Sequence, residues 1–455
     1  MIRNFRPGSM AIAVLTGLML AVGVQLFTDN DLSLSRFFSS VNAAPQSSTG
    51  LLQQQNLVYE GAFRIPAGSV PGDAGGANFG GACMTHNPAG NNGQGSLLVC
   101  GFDPAFKVGE ISIPAPKIST SMNSLPTATL ISDFADVLQG HAVDIYGYAG
   151  ASVNLGGLQL HNGKLVVSVY GYFDTDSASH PNSHFLASAD LKNPKFLGGP
   201  YQVGNPAMPG FVAGFMAPIP AAFQGVLGGT HLTGQNSLPI IGRTSAGPSA
   251  TVFNPANLGS TPAPAKRVLG YPVSNPTLGD WYGQGGSVMP RLWNGASRAV
   301  GAVFPEGSRS VLFFGVHGMG EFCYGDGTSN ASLHKQPVPN EPGLMYCYDP
   351  TFTGKSPHAY PYKFFVWAYD ANDLAAVKAG SKKDYEVLPY ATWDFPLPIM
   401  AVIGNGTAPL YSLGSVTYDP VTQRIFMAQK FTDAGAATLI NVFKVETGAV
   451  SGLCR

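Results

Sequence analysis

The chain has 455 residues, of which 11% are charged and 45% are hydrophobic. Its 57 glycines and 36 prolines are too many turn-forming residues for a helical protein, while the hydrophobic content is ample for a large core and argues against disorder. The 25 basic and 26 acidic residues give a net charge of -1 without like-charge runs, which argues against a nucleic-acid partner.

The first 50 residues are predicted to be an export segment followed by a linker. Arg3 and Arg6 precede an apolar run over residues 11–27, the arrangement of a signal peptide. Residues 41–43 (Val-Asn-Ala) offer small side chains for cleavage, but an uncleaved anchor is the alternative, since a run of about 17 residues is marginal for spanning a bilayer. Both alternatives predict a secreted or periplasmic protein, with residues 51–455 forming one domain.

Five cysteines are therefore expected in an oxidising compartment. Cys83 and Cys100 flank a predicted hairpin at nearly opposite positions, within disulfide reach. Cys323 and Cys347 bracket a long loop rich in Gly, Pro and Asn, and Cys454 is left over. We predict two disulfides; the alternative for the first pair is two buried free thiols that act as small hydrophobes.

A unit of short strands repeats along the chain. The first strand of each unit opens with an apolar residue and then two small ones, as expected where the inner strands of a propeller converge. These openings are Phe79-Gly80-Gly81, Leu155-Gly156-Gly157, Val212-Ala213-Gly214, Val300-Gly301-Ala302 and Leu413-Gly414-Ser415.

Three further strands follow most openings. The second strands are predicted over residues 96–101, 164–171, 238–242, 310–315 and 424–429, and the third strands begin near residues 107, 184, 250, 364 and 439. A fourth strand with a weaker pattern is predicted over residues 129–134 in the first unit. In three later units the fourth strand contains a tyrosine, which is Tyr201, Tyr271 or Tyr390. The last unit lacks a fourth strand, and residues 57–66 (LVYEGAFRIP) would supply it.

The pattern predicts an all-β fold, a single five-bladed β-propeller closed by its N-terminal strand. Closure removes exposed sheet edges. Six blades are possible if Gly285-Gly286-Ser287 opens another unit. Three short loop helices are predicted over residues 133–140, 220–228 and 372–380, because each begins with Asp, Pro or Asn and ends with Gly.

The opening YEGAFRIP, followed by FGGACMTHNP, resembles the start of uncharacterised exported bacterial β-propeller proteins with a YxGAFRxP motif. The resemblance implies the fold and the export, and it implies no activity.

A polar residue follows each predicted second strand within a few positions. Blade symmetry would bring these five to one rim, where they could bind a polar ligand or perform acid–base chemistry. The alternative is that they are ordinary turn residues, since Asp bonds nearby backbone N–H groups. The predicted ring consists of Asp103, Asp174, Arg243, His317 and Asp433.

A second candidate site is an aromatic platform in a long loop on the same predicted face. Trp281 and Tyr282 offer flat rings for sugar faces, and Asp280 could accept hydrogen bonds from sugar hydroxyls. The alternative is that these aromatic side chains seal the loop onto the blades.

No cofactor is expected, with one qualification. Residues 174–177 (Asp-Thr-Asp-Ser) have the alternating oxygen ligands that begin a calcium loop, but the downstream Gly and Glu of an EF-hand are missing. No Cys/His spacing typical of zinc is present.

These observations favour an extracytoplasmic binding module for a glycan or another small polar ligand. One alternative is a glycan-processing hydrolase or lyase that uses Asp103, Asp174, Arg243 and His317. Another is a structural surface protein. A membrane would be contacted only through an uncleaved N-terminal segment.

Overall fold

The computed structural model describes residues 50–66, 81–101, 106–146, 153–171, 180–235, 244–283, 290–403, 408–433 and 437–447. Within these ranges the chain consists mainly of β-strands, and most of them belong to five antiparallel sheets of four strands each. The predicted all-β class is therefore confirmed. In the same ranges, no helix is long and apolar enough to cross a membrane.

The first two sheets use consecutive strands of the chain. β1 (Leu57–Arg64) precedes them and pairs elsewhere. Sheet I contains β2 (Met84–Asn87), β3 (Ser96–Cys100), β4 (Lys107–Ser112) and β5 (Leu130–Asp136). Sheet II contains β6 (Val153–His161), β7 (Lys164–Gly171), β8 (Asn182–Ser188) and β9 (Phe196–Gln202).

Sheet III is again consecutive, whereas sheet IV is interrupted by an insert. Sheet III contains β10 (Met216–Pro218), β11 (His231–Thr233), β12 (Ala250–Phe253) and β13 (Ala265–Leu269). Sheet IV contains β14 (Arg298–Val303), β15 (Ser310–Gly318), β19 (Tyr362–Asp370) and β20 (Ala391–Asp394). The insert between β15 and β19 forms its own sheet of β16 (Cys323–Thr328), β17 (Tyr346–Tyr348) and β18 (Lys355–His358).

Sheet V joins the two ends of the described chain. After the short hairpin of β21 (Ala401–Ile403) and β22 (Ala408–Leu410) come β23 (Leu413–Asp419), β24 (Arg424–Asp433) and β25 (Ala437–Val445). β1 then pairs antiparallel with β25 as the fourth strand, and Leu57 stands opposite Val445. The N-terminal strand thus occupies the place that the sequence pattern left vacant.

The first strands of the five sheets contact one another in cyclic order. β2 contacts β6 and β23, β10 contacts β6 and β14, and β14 contacts β23. Glycine permits this approach: a Cβ on Gly156 would lie 1.9 Å from the carbonyl oxygen of Ala213, and one on Gly414 would lie 2.0 Å from that of Gly81. The small residues at the strand openings therefore let backbones of neighbouring sheets come close.

Helices are short and lie in the connections. Among the described residues these are α1 (Gly90–Gly93), a single turn in which Asn91 and Asn92 have positive φ, and the α-helices α2 (Pro209–Val212), α3 (Ala221–Leu227) and α4 (Ala371–Lys378). Single 3₁₀ turns cover Gln54–Asn56, Met122–Ser124, His141–Ile145, Pro255–Asn257, Ala331–Leu333 and Asp384–Glu386. The predicted helices over 220–228 and 372–380 correspond to α3 and α4.

Three local predictions are wrong. Residues 133–140 do not form a helix, because they complete β5 and then turn, with the Asp136 carboxylate accepting N–H bonds from Leu138, Gln139 and Gly140. The second strand of sheet III is β11, and the predicted segment 238–242 lies outside the described residues. The small pair at 213–214 follows α2 and precedes β10 instead of opening a strand.

The two predicted disulfides are present. Cys83 and Cys100 are bonded across the start of sheet I with their Cα atoms 5.2 Å apart, and Cys323 and Cys347 are bonded within the insert at 5.7 Å. The first bond lies in a core already filled by buried aliphatic side chains. The second joins β16 to β17 in a small sheet that has few such side chains.

Candidate functional site

A cavity of about 280 Å³ lies where the insert meets the beginnings of β14 and β23. Sheet IV contributes Arg298 at the start of β14, and the segment before β23 contributes Tyr411 and Ser412. Phe431 of β24 and Phe352 of the insert add aromatic surface. The lining therefore combines one guanidinium, hydroxyl groups and aromatic rings, the mixture that binds small polar ligands.

The insert side of the cavity is held by a buried ion pair. Nδ1 of His358 lies 2.9 Å from Oδ2 of Asp349, and both side chains are only 1% exposed. Nε2 of His358 lies 3.2 Å from the carbonyl oxygen of Gly325 and 3.1 Å from that of Gly354. Both ring nitrogens face acceptors, an arrangement that suits a ring donating from both.

The Asp349 carboxylate is also saturated. The hydroxyl of Tyr362 donates to Oδ2 at 2.8 Å, and the backbone and hydroxyl of Thr351 donate to Oδ1. Burial favours the neutral acid, but the hydrogen bonds from His358, Thr351 and Tyr362 outweigh it and lower the pKa of Asp349 below its ordinary value. Asp349 is therefore an ionised structural group with no lone pair directed at a ligand.

Arg298 has the opposite character. Its side chain is exposed and lines the cavity, and it makes no ion pair or side-chain hydrogen bond with the residues the structure describes. Its charge is close enough to the hydroxyl of Tyr362 to oppose, in part, the rise that burial causes in the pKa of that phenol. Arg298 is the uncompensated charge of the described lining.

His317, a member of the predicted ring, lies directly behind this cavity. The side chain is 3% exposed, Nδ1 lies 2.7 Å from Oγ of Ser297, and Nε2 lies 3.3 Å from the carbonyl oxygen of Arg291. Burial lowers the pKa of His317 to about 4, against a smaller opposing effect of the carbonyl. His317 is not part of the cavity lining; it contacts Ser297, the residue before Arg298.

The other ring members give less information. Asp103, Asp174 and Arg243 lie outside the described residues, and so does the candidate calcium loop at 174–177. Asp433 ends β24, where it stands opposite Ala437. The joint rim therefore stays a prediction.

The aromatic platform separates into a buried and an exposed part. Trp281 is 5% exposed and packs on Phe322, with ring centres 6.5 Å apart. Tyr282 is 59% exposed and meets the same ring edge-on at 5.6 Å. Trp281 thus joins its loop to the insert, whereas Tyr282 still offers an exposed ring face. Neither of them lines the cavity, and Asp280 does not line it either.

A second cavity, of about 320 Å³, lies on the outer side of sheet III beside α4. Its lining includes four basic residues, but the central one, Arg267, is paired with Asp384 and lies 4.8 Å from the centre of the Phe211 ring. Lys382 is paired with Asp373 at 2.8 Å. Much of this positive charge is consequently neutralised by the protein itself.

The described lining of the smaller cavity holds a single carboxylate, Asp349, which is committed to the insert. Most glycoside hydrolases use a pair of carboxyl groups about 5–10 Å apart. Elsewhere in the described ranges, no group of three or more His, Cys, Asp or Glu side chains is placed to hold a metal ion. The arrangement can bind and orient a ligand, and it shows no pair of groups for acid–base catalysis among these residues.

Arg298, Tyr411 and Ser412 were not among the residues predicted from the sequence. All three lie within two positions before a predicted strand opening, either Val300-Gly301-Ala302 or Leu413-Gly414-Ser415. A search of the residues just before each opening, in addition to those after each second strand, would have found them.

No protein-family model matches the chain, and no curated protein matches its sequence. Solved structures share a weak likeness. A candidate glycoside hydrolase from Bacteroides ovatus is 11% identical with a TM-score of 0.36, over 88% of this chain and 97% of that one. Raptor from Chaetomium thermophilum is 9% identical with a TM-score of 0.28, over 86% and 29% of the two chains. The Dos1 propeller is 10% identical with a TM-score of 0.25, over 79% and 67%. At these TM-scores the likenesses carry no argument about activity.

Proposed function

We propose that residues 51–455 form a closed five-bladed β-propeller in which each four-stranded sheet is one blade. Three observations support this. Five such sheets follow one another along the chain, their first strands contact each other in cyclic order, and β1 pairs with β25. In a propeller this pairing completes the last blade and protects the sheet edges.

We further propose that the protein is an exported binding module for a glycan or another small polar ligand, which occupies the cavity beside the insert. The observation that carries the proposal is the composition of that lining, in which Arg298, Ser412 and Tyr411 stand together at the beginnings of two first strands. The cavity volume of about 280 Å³ lies just below the range for small-molecule sites, about 300–1,000 Å³, and a site of this size suits a single sugar ring.

Rigidity supports a binding role. The wall formed by the insert is fixed by the Cys323–Cys347 bond and by the buried pair of Asp349 and His358, so little ordering is required when a ligand enters. Two disulfides also suit an oxidising compartment, in keeping with the export predicted from the N-terminal sequence. The enzymatic alternative rests largely on Asp103, Asp174 and Arg243, and it stays a prediction.

The test is binding of the purified protein to a broad glycan array, with the supernatants analysed for released products. We expect binding without release, and we expect Tyr411→Ala to weaken it while Tyr282→Ala, outside the cavity, leaves it unchanged. Loss of binding only in Tyr282→Ala would move the site to the aromatic platform. Product release would establish the enzyme, and no binding to any glycan would contradict the proposal.

A further inference from the structure

We propose that the ligand of this cavity bears a carboxylate, as a uronic acid or another acidic sugar does, and that the guanidinium of Arg298 binds it. The inference rests on the proposed function and deepens it by naming the chemical class. It starts from the uncompensated charge of Arg298 in a lining whose single described carboxylate, Asp349, is already engaged by hydrogen bonds with His358, Thr351 and Tyr362.

The guanidinium is available because the protein does not use it. Other arginines on the neighbouring strands are paired: Arg309 donates to Asp370 at 2.9 Å, and Arg424 donates to Glu60 at 2.6 Å. Arg298 is exposed and has no acidic neighbour at ion-pair distance in the part of the chain that the structure describes. An anionic ligand would supply the partner that the fold supplies elsewhere.

The remaining lining favours a sugar acid over a bare anion. A guanidinium presents a planar fork that matches a carboxylate with two parallel hydrogen bonds. The hydroxyls of Ser356 and Ser412 can exchange hydrogen bonds with sugar hydroxyls, and the rings of Phe352 and Tyr411 offer faces for the apolar side of a pyranose. A phosphate monoester, with a charge of about −1.5 to −2, would be matched less well by one guanidinium.

The position of Arg298 is fixed from behind. Oγ of Ser297 lies 2.7 Å from Nδ1 of His317 and 3.1 Å from Oδ1 of Asn294, while Nδ2 of Asn294 donates to the carbonyl oxygen of Gly318 at 2.7 Å. These contacts tie the turn before β14 to the end of β15. His317 is thus a positioning residue for the turn that carries Arg298.

The larger cavity on sheet III is the competing anion site, and it is less suitable. Two of its four basic side chains, Arg267 and Lys382, already have acidic partners there, and the other two, Lys266 and Lys383, are exposed lysines without the planar fork of a guanidinium. Lys266 therefore provides a matched control: its removal deletes one positive charge from a cavity that is not expected to bind the ligand.

The experiment is calorimetric titration of the full chain with galacturonate, glucuronate, the methyl ester of galacturonate and galactose. The ester keeps the ring and hydroxyls but removes the charge. We expect a free acid to bind about 10- to 100-fold more tightly than the neutral sugars, the range for a hydrogen bond to a charged group. Arg298→Gln should abolish this difference, Arg298→Lys should restore it in part, and Lys266→Gln should not change it.

The outcomes separate the inference from the proposed function. If acid and ester bind equally, or if Arg298→Gln retains the preference, the inference fails while the binding module stands. If sulfated or phosphorylated galactose binds more tightly than galacturonate, the carboxylate assignment is overturned. If neither the acids nor the neutral sugars bind, and no glycan on the array binds either, the proposed function fails.

A His317→Gln variant should weaken galacturonate binding more than galactose binding; equal weakening of both would contradict the role of His317 in positioning Arg298.

Discussion

The five large sheets and the insert are held together by different forces. In the sheets, continuous clusters of buried aliphatic and aromatic side chains fill the space, and Trp367, Tyr271 and Tyr369 are the largest fully buried members. The insert is a small three-stranded sheet fixed by one disulfide and by the pair of Asp349 and His358. Stability is thus spread over many residues in the sheets and concentrated in a few contacts in the insert. Single substitutions at those contacts should therefore destabilise the insert without destabilising the sheets.

The difference also explains why the candidate site lies at their junction. Apolar packing makes the sheets a firm support for Arg298 and Tyr411, whereas the insert can present polar groups because its stability does not depend on a core. Glycines allow the backbone segments of the insert to pack closely. A Cβ on Gly325 would lie 1.9 Å from the carbonyl oxygen of Met345, and one on Gly327 would lie 1.8 Å from that of Phe352.

The largest effect is expected from Asp349→Ala. The substitution removes the buried acceptor shared by His358, Thr351 and Tyr362, and each buried donor left unpaired costs about 1–3 kcal/mol. Hydrogen exchange followed by mass spectrometry should show that residues 323–358 lose protection while β6 and β7 keep theirs. Asp326→Ala, on a partly exposed position of β16, serves as the control and should change little. Loss of protection across all sheets would show that the insert is not an independent unit.

A smaller and global effect is expected from Gly156→Ala. The new Cβ would meet the backbone of Ala213, in the segment that leads into β10 of the neighbouring sheet, and overpacking of this kind costs about 1–3 kcal/mol. Gly225→Ala is the matched control, because no atom lies within 4 Å of its Cβ position in α3, where alanine stabilises a helix by up to about 1 kcal/mol. Thermal unfolding measures both. Equal melting temperatures for Gly156→Ala and the wild type would contradict the close approach of sheets II and III.

A comparable cost is expected on acidification, from a buried histidine of sheet II. Burial lowers the pKa of His184 to about 3, so from pH 6.5 downward the unfolded chain binds a proton that the folded chain does not. Stability should therefore fall with pH, by about 2 kcal/mol at pH 5 for this residue. His184→Gln should reduce the loss between pH 7 and 5, as measured by urea unfolding; an unchanged loss would contradict the prediction. Asp349 has a lowered pKa, so its contribution to folding stability is lost only below the range of pH 7 to 5.

Much of the sheet structure was predictable because strand periodicity and small residues are local signals. The strand at Lys164–Gly171 and the N-terminal strand at residues 57–64 match the expectation closely. Sheet III was harder, since β10 and β11 are three residues each and carry little periodicity. The site was harder still. Whether His317 points to solvent or to Ser297 depends on contacts that no residue spacing contains.

The smallest effect is expected at an ion pair that resembles the one in the insert but is exposed. Nζ of Lys363 lies 2.6 Å from Oδ2 of Asp394, with side chains 47% and 56% exposed, against 1% for both Asp349 and His358. Water already solvates both charges, so a double-mutant cycle with Lys363→Met and Asp394→Asn should give a coupling of about 0–1 kcal/mol that falls as salt is added. A coupling as large as the effect of Asp349→Ala would mean that burial does not decide the strength of these pairs.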